Sequence, residues 1–187
     1  MAKKAIVLLA EGFEEVEAIT PIDYLRRAGI EVTVAAVKSS PAVKGSHGIM
    51  VSADATLQDV RREASAVLWD ALVLPGGMPG AANLAASKEV GALICEMAAK
   101  GKLICAICAS PAVVLAPLDI LSGKTFTCYP GMEANVQGGM WTEDRVAIDG
   151  NLITSRGAGT AGHFAVAIIG QLVSKAEADK LAKSVLL

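Results

Sequence analysis

Residues 100–116 read KGKLICAICASPAVVLA, and this stretch decides how the chain presents its most reactive side chain. The apolar run LICAIC is typical of a buried strand, and SPAVVLAPL, with Pro111 in its first turn, indicates a short helix. Cys108 therefore stands on a tight strand-to-helix turn, as in a nucleophile elbow. Ala106, Ala109 and Ser110 are the small neighbours that such a turn tolerates. The sequence predicts a cysteine held above the edge of a sheet.

The helix that follows Cys108 has a chemical consequence. Its positive end favours thiolate over thiol, so the nucleophilic form is expected to be populated at neutral pH. The alternative is a small buried hydrophobic residue, which free cysteine often is. Position alone leaves both interpretations open.

The segments around this stretch alternate between strand and helix patterns. The strand patterns are AIVLLA, EVTVAAV, ALVL and LICAIC, and the hairpin patterns are SSPAVKGSHGIMVSAD and RVAIDGNLITS. The helical patterns are VEAITPIDYLRRAGI, SKEVGALICEMAAKG, TAGHFAVAIIGQLVS and KAEADKLAKSVLL. A strand, a helix and a strand in series form a right-handed crossover by default. The pattern predicts an α/β fold with an open, doubly wound, mostly parallel sheet.

Such sheets place their sites beyond the carboxyl ends of the strands, which here carry AEGFEEVE, PGGMPG and CAS. Gly76 and Gly77 suit a backbone that offers N–H groups to a developing oxyanion, although a simple strand-ending turn needs the same residues. Glu17 has the helical phase of an inward-facing residue. Burial and a nearby anion would raise its pKa, so that it could share or transfer a proton with Cys108. Glu14 and Glu15 are explained by the helix dipole.

Composition narrows the function classes. The 187 residues are expected to form a single domain, residues 1–187, with 53% hydrophobic but only 4% aromatic residues, as in sheets buried on both faces. The net charge of -2 contains no long basic run, which argues against nucleic-acid binding and favours a small-molecule partner. No apolar run approaches the roughly 18 residues of a membrane span, and no signal-type segment is visible. We expect a cytoplasmic protein.

The remaining cysteines and histidines suggest no further chemistry. Cys105 and Cys108 form a C-x-x-C, but Cys105 falls inside the strand, which disfavours thioredoxin-like redox chemistry. Cys95 is expected on a helix with its side chain in the protein core. Cys128 is expected near the strand ends, where it could be a second redox-sensitive thiol. His47 and His163 lie in separate segments without metal-ligand spacing, so no zinc site is expected and His163 is interpreted as structural.

Four segments together resemble the ThiJ/PfpI family, in particular its DJ-one branch: AEGFEEVEAITPIDYLRRAGIEVTVA, LVLPGGMPGAANL, ICAICASPAVVLA and LITSRGAGTAGHFAVAII. The resemblance runs essentially end to end. It implies a flavodoxin-like sandwich related to class I glutamine amidotransferases, usually a homodimer. The cysteine chemistry that we expect needs no cofactor or metal. The resemblance also implies that Cys108 is the elbow cysteine and Glu17 the protonated glutamate beside its sulfur. The oxyanion-type donors would be the N–H groups of Gly76, Gly77 and Ala109.

The chain departs from the family pattern near the nucleophile. Tyr129-Pro130 stands where some members have a histidine before the proline, so no Cys–His pair is available there, which argues against protease activity. His47 falls where other members carry an arginine close to the dimer-side pocket, and Ala158 replaces a common proline. The possible pocket residues are His47, Tyr129, Arg27 and Arg156.

The resemblance implies glutathione-independent glyoxalase activity, which converts methylglyoxal to lactate, and a deglycase activity on early glycation adducts. We expect the Cys108 thiolate to attack the aldehyde while Glu17 moves the proton. The small residues at the strand ends leave room for a substrate of a few atoms, which fits a small dicarbonyl better than a peptide. The rival hypothesis is a redox sensor or chaperone in which Cys108 is oxidised to sulfinate. A weaker alternative is an amidotransferase-like or biosynthetic enzyme, which would need a histidine partner.

Overall fold

The computed structural model describes residues 2–63 and 69–187. Its strands are β1 (Lys4–Leu9), β2 (Glu31–Ala36), β3 (Ala42–Lys44), β4 (Met50–Ser52), β5 (Ala55–Thr56), β6 (Ala71–Leu74), β7 (Leu103–Ile107), β8 (Thr125–Phe126), β9 (Met140–Trp141), β10 (Val146–Asp149) and β11 (Leu152–Ser155). Its helices are α1 (Glu15–Arg27), α2 (Leu57–Glu63), α3 (Gly80–Ala86), α4 (Lys88–Ala99), α5 (Ala161–Leu172) and α6 (Lys175–Ser184). Within these residues no helix combines the length and the apolarity that crossing a membrane requires.

Seven strands form the central sheet in the order β10-β11-β7-β6-β1-β2-β5. All neighbours pair in parallel except β10 and β11, which form the predicted antiparallel hairpin. The strands β3 and β4 make a separate antiparallel ribbon, the edge hairpin expected from residues 39–54. Because β1, β6 and β7 lie side by side, the three chemically interesting strand ends meet at one edge of the sheet.

The sheet is buried on both faces, as its apolar strands require. In β1, Ala5, Val7 and Leu9 belong to one apolar cluster, and Ile6 and Leu8 belong to another. This alternation follows from the two-residue period of a strand. The first cluster includes buried residues of α1, α5 and α6, and the second includes those of α3 and α4. The predicted α/β fold, a flavodoxin-like sandwich with helices on both faces, is confirmed.

The segment after Cys108 differs from the regular short helix that the sequence predicts. Residues Pro111–Leu115 form one wide turn in which the Ala116 N–H bonds to the Pro111 carbonyl, five residues earlier. A tighter turn, Ala116–Leu118, follows and ends at Asp119 in the left-handed region. The segment therefore carries few of the aligned peptide dipoles that a long helix would bring to Cys108.

Candidate active site

Cys108 lies directly after β7 in a strained backbone conformation. Its φ angle is +63°, in the left-handed region, which costs a residue with a side chain about 1–2 kcal/mol. Two backbone hydrogen bonds hold it there: its N–H donates to the Ser155 carbonyl at 2.9 Å, and its carbonyl accepts from the Tyr129 N–H at 2.8 Å. The turn is thus fixed by the end of β11 on one side and by the segment after β8 on the other.

Glu17 reaches the same place from the first turns of α1. Its side chain is buried, and Oε2 accepts a hydrogen bond from the Gly76 N–H at 2.9 Å. The Glu17 carboxyl also shares a hydrogen bond with the Cys108 thiol. Helical phase places this glutamate inward because Ala18, Pro21 and Leu25 bury the same side of α1.

The turn after β6 makes this close approach possible. A methyl group on Gly76 would lie 2.6 Å from Cβ of Cys108 and 2.7 Å from Oε2 of Glu17, so only glycine fits. The N–H groups of Gly77 and Ala109 act on the Cys108 sulfur and favour its thiolate. The Ser110 hydroxyl donates to the Pro75 carbonyl at 2.6 Å and ties the elbow to this turn. The sequence alone indicates only that Ser110 is small.

The structure corrects one member of the predicted donor set. Gly76 was expected to offer its N–H to an oxyanion, but that N–H already donates to Glu17. The N–H groups that favour the Cys108 thiolate are those of Gly77 and Ala109. Gly76 instead holds the carboxyl group and leaves room for it.

Glu17 and Cys108 shift each other's ionisation. Burial raises the pKa of Glu17 to about 7, against the hydrogen bonds from Cys108 and from the Gly76 N–H. Burial and then the Glu17 charge raise the pKa of Cys108 to about 12, although the N–H groups of Gly77 and Ala109 favour the thiolate. Between about pH 7 and about pH 12 the pair therefore carries one negative charge and shares one proton.

The expected lowering of the Cys108 pKa by a helix dipole is wrong. The following segment is a single wide turn, and burial of the sulfur outweighs the two N–H donors. A thiolate forms here only when Glu17 keeps the shared proton, because the two buried charges repel each other.

Glu15 has a role that the sequence analysis missed. It was ascribed to the helix dipole, yet its carboxylate is buried and organises the loop between β3 and β4. Oε1 accepts from the His47 N–H at 2.8 Å, and Oε2 lies 3.0 Å from His47 Nδ1. Burial of Glu15 raises its pKa, but hydrogen bonds from its own backbone, His47 and Ile49 outweigh this effect and lower the pKa to about 2. The hydrogen bond from Glu15 in turn raises the pKa of the exposed His47.

Glu14, Glu15 and His47 form the group of side chains most suited to a metal ion among the described residues. One potential ligand atom from each lies within 4.8 Å of the others. The sequence predicts no zinc site, because His47 and His163 lie in separate segments without metal-ligand spacing. The companions of His47 are carboxylates from α1. The oxygens of Glu15 are already engaged by Ser46, His47 and Ile49.

Tyr129 and Arg156 line an open cavity of about 570 Å³. Its other walls are Pro130, Arg145 and residues 157–160. A methyl group on Gly157 would lie 3.8 Å from Oε1 of Glu17 and 3.6 Å from the Tyr129 ring, so this part of the cavity wall lies next to the buried carboxyl. His47 lies apart from this cavity, on the loop held by Glu15.

Arg27 does not belong to this pocket in the folded chain. It sits at the other end of α1, pairs with Asp23 at 2.6 Å, and lines a separate cavity with α6. Ten residues of helix separate it from Glu17, about 15 Å along the axis. The expected grouping of Arg27 with Arg156 is therefore wrong within one chain.

The other cysteines differ in burial. Cys105 is fully buried in β7, where burial raises its pKa, and its position inside the strand agrees with our doubt about a redox C-x-x-C. Cys128 is buried, and burial together with the Glu133 charge raises its pKa to about 11. Cys95 was expected in the core but is exposed on α4. Its helix buries Val90, Leu93, Ile94 and Met97 on the opposite side.

Comparisons with known proteins agree on one family. A profile described as the DJ-1/PfpI family matches residues 3–171. "Protein dj-1beta" of Drosophila melanogaster is 43% identical over 188 residues, which cover 100% of this chain and 98% of that protein. "Glutathione-independent glyoxalase DJR-1.2" of Caenorhabditis elegans is 35% identical, with coverage of 97% and 95%. A structure described as "Toxoplasma gondii DJ-1, oxidized" superposes with a TM-score of 0.94 at 40% identity, covering 99% and 98%.

Proposed function

The chain belongs to the DJ-1/PfpI family, and we propose that it is a cysteine-dependent, cofactor-free enzyme that converts small dicarbonyls such as methylglyoxal into hydroxy acids. One observation carries the proposal. A cysteine in the left-handed region faces both a buried carboxyl group and two backbone N–H donors. A nucleophile, a proton carrier and anion-stabilising donors thus meet at one point.

The reaction begins with the proton that Glu17 and Cys108 share. The sulfur attacks the aldehyde carbon, a C–S bond forms, and the carbonyl electron pair moves onto oxygen. The N–H groups of Gly77 and Ala109 face the reacting centre and stabilise this alkoxide, which then takes up the shared proton. Both proton arrangements of the pair lead to the same state, a neutral hemithioacetal beside a Glu17 carboxylate.

Glu17 then completes an internal redox exchange. Its carboxylate removes the proton from the former aldehyde carbon and returns a proton to the neighbouring carbon, so that the aldehyde is oxidised and the ketone reduced. The product is a thioester of a 2-hydroxy acid. Water cleaves the C–S bond, releases the acid and restores the proton that the pair shares. The balance needs only water, so no external oxidant or reductant enters.

The same attack on an early glycation adduct would release the amine and give deglycation. The glyoxalase name of the Caenorhabditis elegans relative supports the dicarbonyl reaction as the primary activity. Among the described residues no histidine lies beside Cys108, since His47 is held by Glu15 and His163 lies on α5. This arrangement supports Glu17 as the proton carrier.

The deciding experiment measures lactate formation from methylglyoxal by the purified, reduced protein in buffer free of amines and thiols. We expect saturable turnover that Cys108→Ser abolishes. Cys95→Ser is the matched control, because this cysteine is exposed but lies on α4, away from the elbow. Lactate formation that survives in Cys108→Ser would rule the mechanism out.

A second candidate function is redox sensing at Cys108, and the oxidised Toxoplasma gondii relative favours it. Two peroxide molecules would each transfer one oxygen atom to the sulfur and leave as water, giving a sulfinate that a protonated Glu17 can hold. Intact mass after titration with hydrogen peroxide tests this. We expect two oxygen atoms on Cys108 before Cys95 is modified; the reverse order would exclude a selective sensor.

A further inference from the structure

The arginines of this chain fall into two groups. Four of the six form ion pairs with carboxylates at 2.6–3.1 Å: Arg26 with Asp54, Arg27 with Asp23, Arg61 with Glu96 and Arg62 with Asp59. Within residues 2–63 and 69–187, Arg145 and Arg156 form no such pair. Both line one cavity, and Gly157 on the wall of that cavity lies next to Glu17.

The partners of these two guanidinium groups are neutral. Arg156 donates to the Glu143 backbone carbonyl at 3.0 Å, and one Arg145 nitrogen lies 3.5 Å from Nε2 of His163. A guanidinium group has five N–H donors in a planar fork, so most donors of both residues remain available. Two uncompensated positive charges therefore face one cavity.

Backbone hydrogen bonds connect the wall of this cavity to Cys108. Tyr129, on its wall, donates its N–H to the Cys108 carbonyl at 2.8 Å, and Arg156 directly follows Ser155, whose carbonyl accepts from the Cys108 N–H. Gly157, the next residue, faces Oε1 of Glu17.

We propose that Arg145 and Arg156 form an anion subsite that binds a carboxylate or phosphate group of the substrate, one end of which reacts at Cys108. The inference rests on the proposed function for the reaction and adds the substrate class: dicarbonyls that carry an anionic group. The planar guanidinium fork matches both anions through paired hydrogen bonds.

Substrate preference gives the first test. The kcat/KM for 4,5-dioxopentanoate, which carries a carboxylate, is compared with that for neutral methylglyoxal. We expect the ratio to fall about tenfold in Arg145→Gln or Arg156→Gln, as the loss of a hydrogen bond to a charged group implies. Arg62→Gln, which removes an exposed arginine on α2, is the control and should leave the ratio unchanged. Equal losses for both substrates would overturn the subsite.

Alkylation of Cys108 gives a second test that needs no turnover. Iodoacetate is anionic and iodoacetamide is neutral, so the ratio of their rates reports an anion subsite independently of the enzymatic reaction. We expect Arg145→Gln and Arg156→Gln to lower this ratio and Arg62→Gln to leave it unchanged. An unaltered ratio in the first two variants would disprove the subsite even if methylglyoxal is a substrate. A lowered ratio without lactate formation would retain the subsite and refute the proposed function.

Competition identifies the anion. Inorganic phosphate and acetate are each added during alkylation by iodoacetate. Protection by phosphate alone assigns a phosphorylated substrate, and protection by acetate as well assigns a carboxylate. Absence of protection by either anion at concentrations that leave iodoacetamide labelling unchanged would contradict an anion subsite.

Discussion

Oε2 of Glu17 lies 2.9 Å from the backbone nitrogen of Gly76, and this hydrogen bond fixes the carboxyl group beside Cys108. The contact joins the first turns of α1 to the turn after β6, although 59 residues separate them. A carboxyl group in this position has a pKa raised to about 7 by burial, so it exchanges its proton at physiological pH.

Replacing Glu17 by Gln should abolish lactate formation from methylglyoxal, because an amide cannot return the proton. It should also simplify the thiol titration. The native pair should ionise first near pH 7 and again near pH 12, whereas the variant should show one step between these values. A potentiometric difference titration between the native protein and Glu17→Gln follows both ionisation steps, because the remaining groups titrate in both proteins. Full turnover in Glu17→Gln would eliminate the proposed proton carrier.

The buried Glu17 carboxyl should also make stability depend on pH. Its pKa is about 7 in the folded chain and 4.5 as the reference value, so the folded state alone keeps the proton between these values. Stability should therefore fall as pH rises from 4.5 to 7, by about 3 kcal/mol from this group. Urea unfolding at each pH measures the slope. The slope should flatten in Glu17→Gln; an equal slope in both proteins would contradict a raised pKa.

Gly76→Ala should impair both stability and turnover. Its methyl group would lie 2.6 Å from Cβ of Cys108, and relieving this overlap should cost about 1–3 kcal/mol. Gly91→Ala on α4 is the matched control. Its methyl group would lie 3.8 Å from the Leu118 side chain, an ordinary contact, and the helix should gain about 0.5–1 kcal/mol. Chemical unfolding and lactate formation are measured together. Native stability and native turnover in Gly76→Ala would contradict the close packing of this turn.

Glu15→Gln should loosen the loop between β3 and β4 and cost about 1.5–3 kcal/mol, since hydrogen bonds to its charge are lost. Its pKa is lowered to about 2, so its contribution is present above pH 4.5 and is lost as the pH falls toward 2. Glu31→Gln, whose partner Lys4 is exposed, should change stability by less than about 0.5 kcal/mol. Unfolding at pH 7 and pH 3 tests this. A Glu15→Gln effect that is larger at pH 3 would have the wrong sign.

The chain should form a homodimer through the face that contains Val16, Ile19, Ile49 and Met50. These apolar side chains are 43–57% exposed, and Ile49 donates its N–H to Glu15, the neighbour of Val16. Val16→Asp should shift the sedimentation coefficient to that of a monomer. Ile148→Asp is the control, because Ile148 is as exposed as Val16, at 47%, but lies on β10. A native protein that sediments as a monomer would refute the dimer.

The sequence was most informative where a short pattern determines the local structure. The apolar runs of β1, β6 and β7 predicted the sheet, and the switch to small residues after Ile107 predicted the strand-to-helix turn. The helical phase of Glu17 predicted its burial, because the phase depends only on neighbouring residues of the same helix.

The sequence was least informative about contacts between distant segments. Whether the Gly76 N–H stays free depends on a carboxyl group from α1, and the burial of Glu15 depends on a loop some 30 residues later. The pKa of Cys108 depends on buried charge rather than on the local helix. The sequence could not single out Arg145, because only the structure shows that it has no carboxylate partner among the described residues.

The left-handed backbone at Cys108 has a consequence for how variants should be ranked by stability. A residue with a side chain is strained there, so Cys108→Gly, although inactive, should be the more stable protein by about 1 kcal/mol. Selection for thermal resistance alone would therefore remove the nucleophile, and a library sorted by melting temperature should accumulate inactive chains. Stability and activity oppose each other at this one residue, and only a screen that measures both would retain the cysteine.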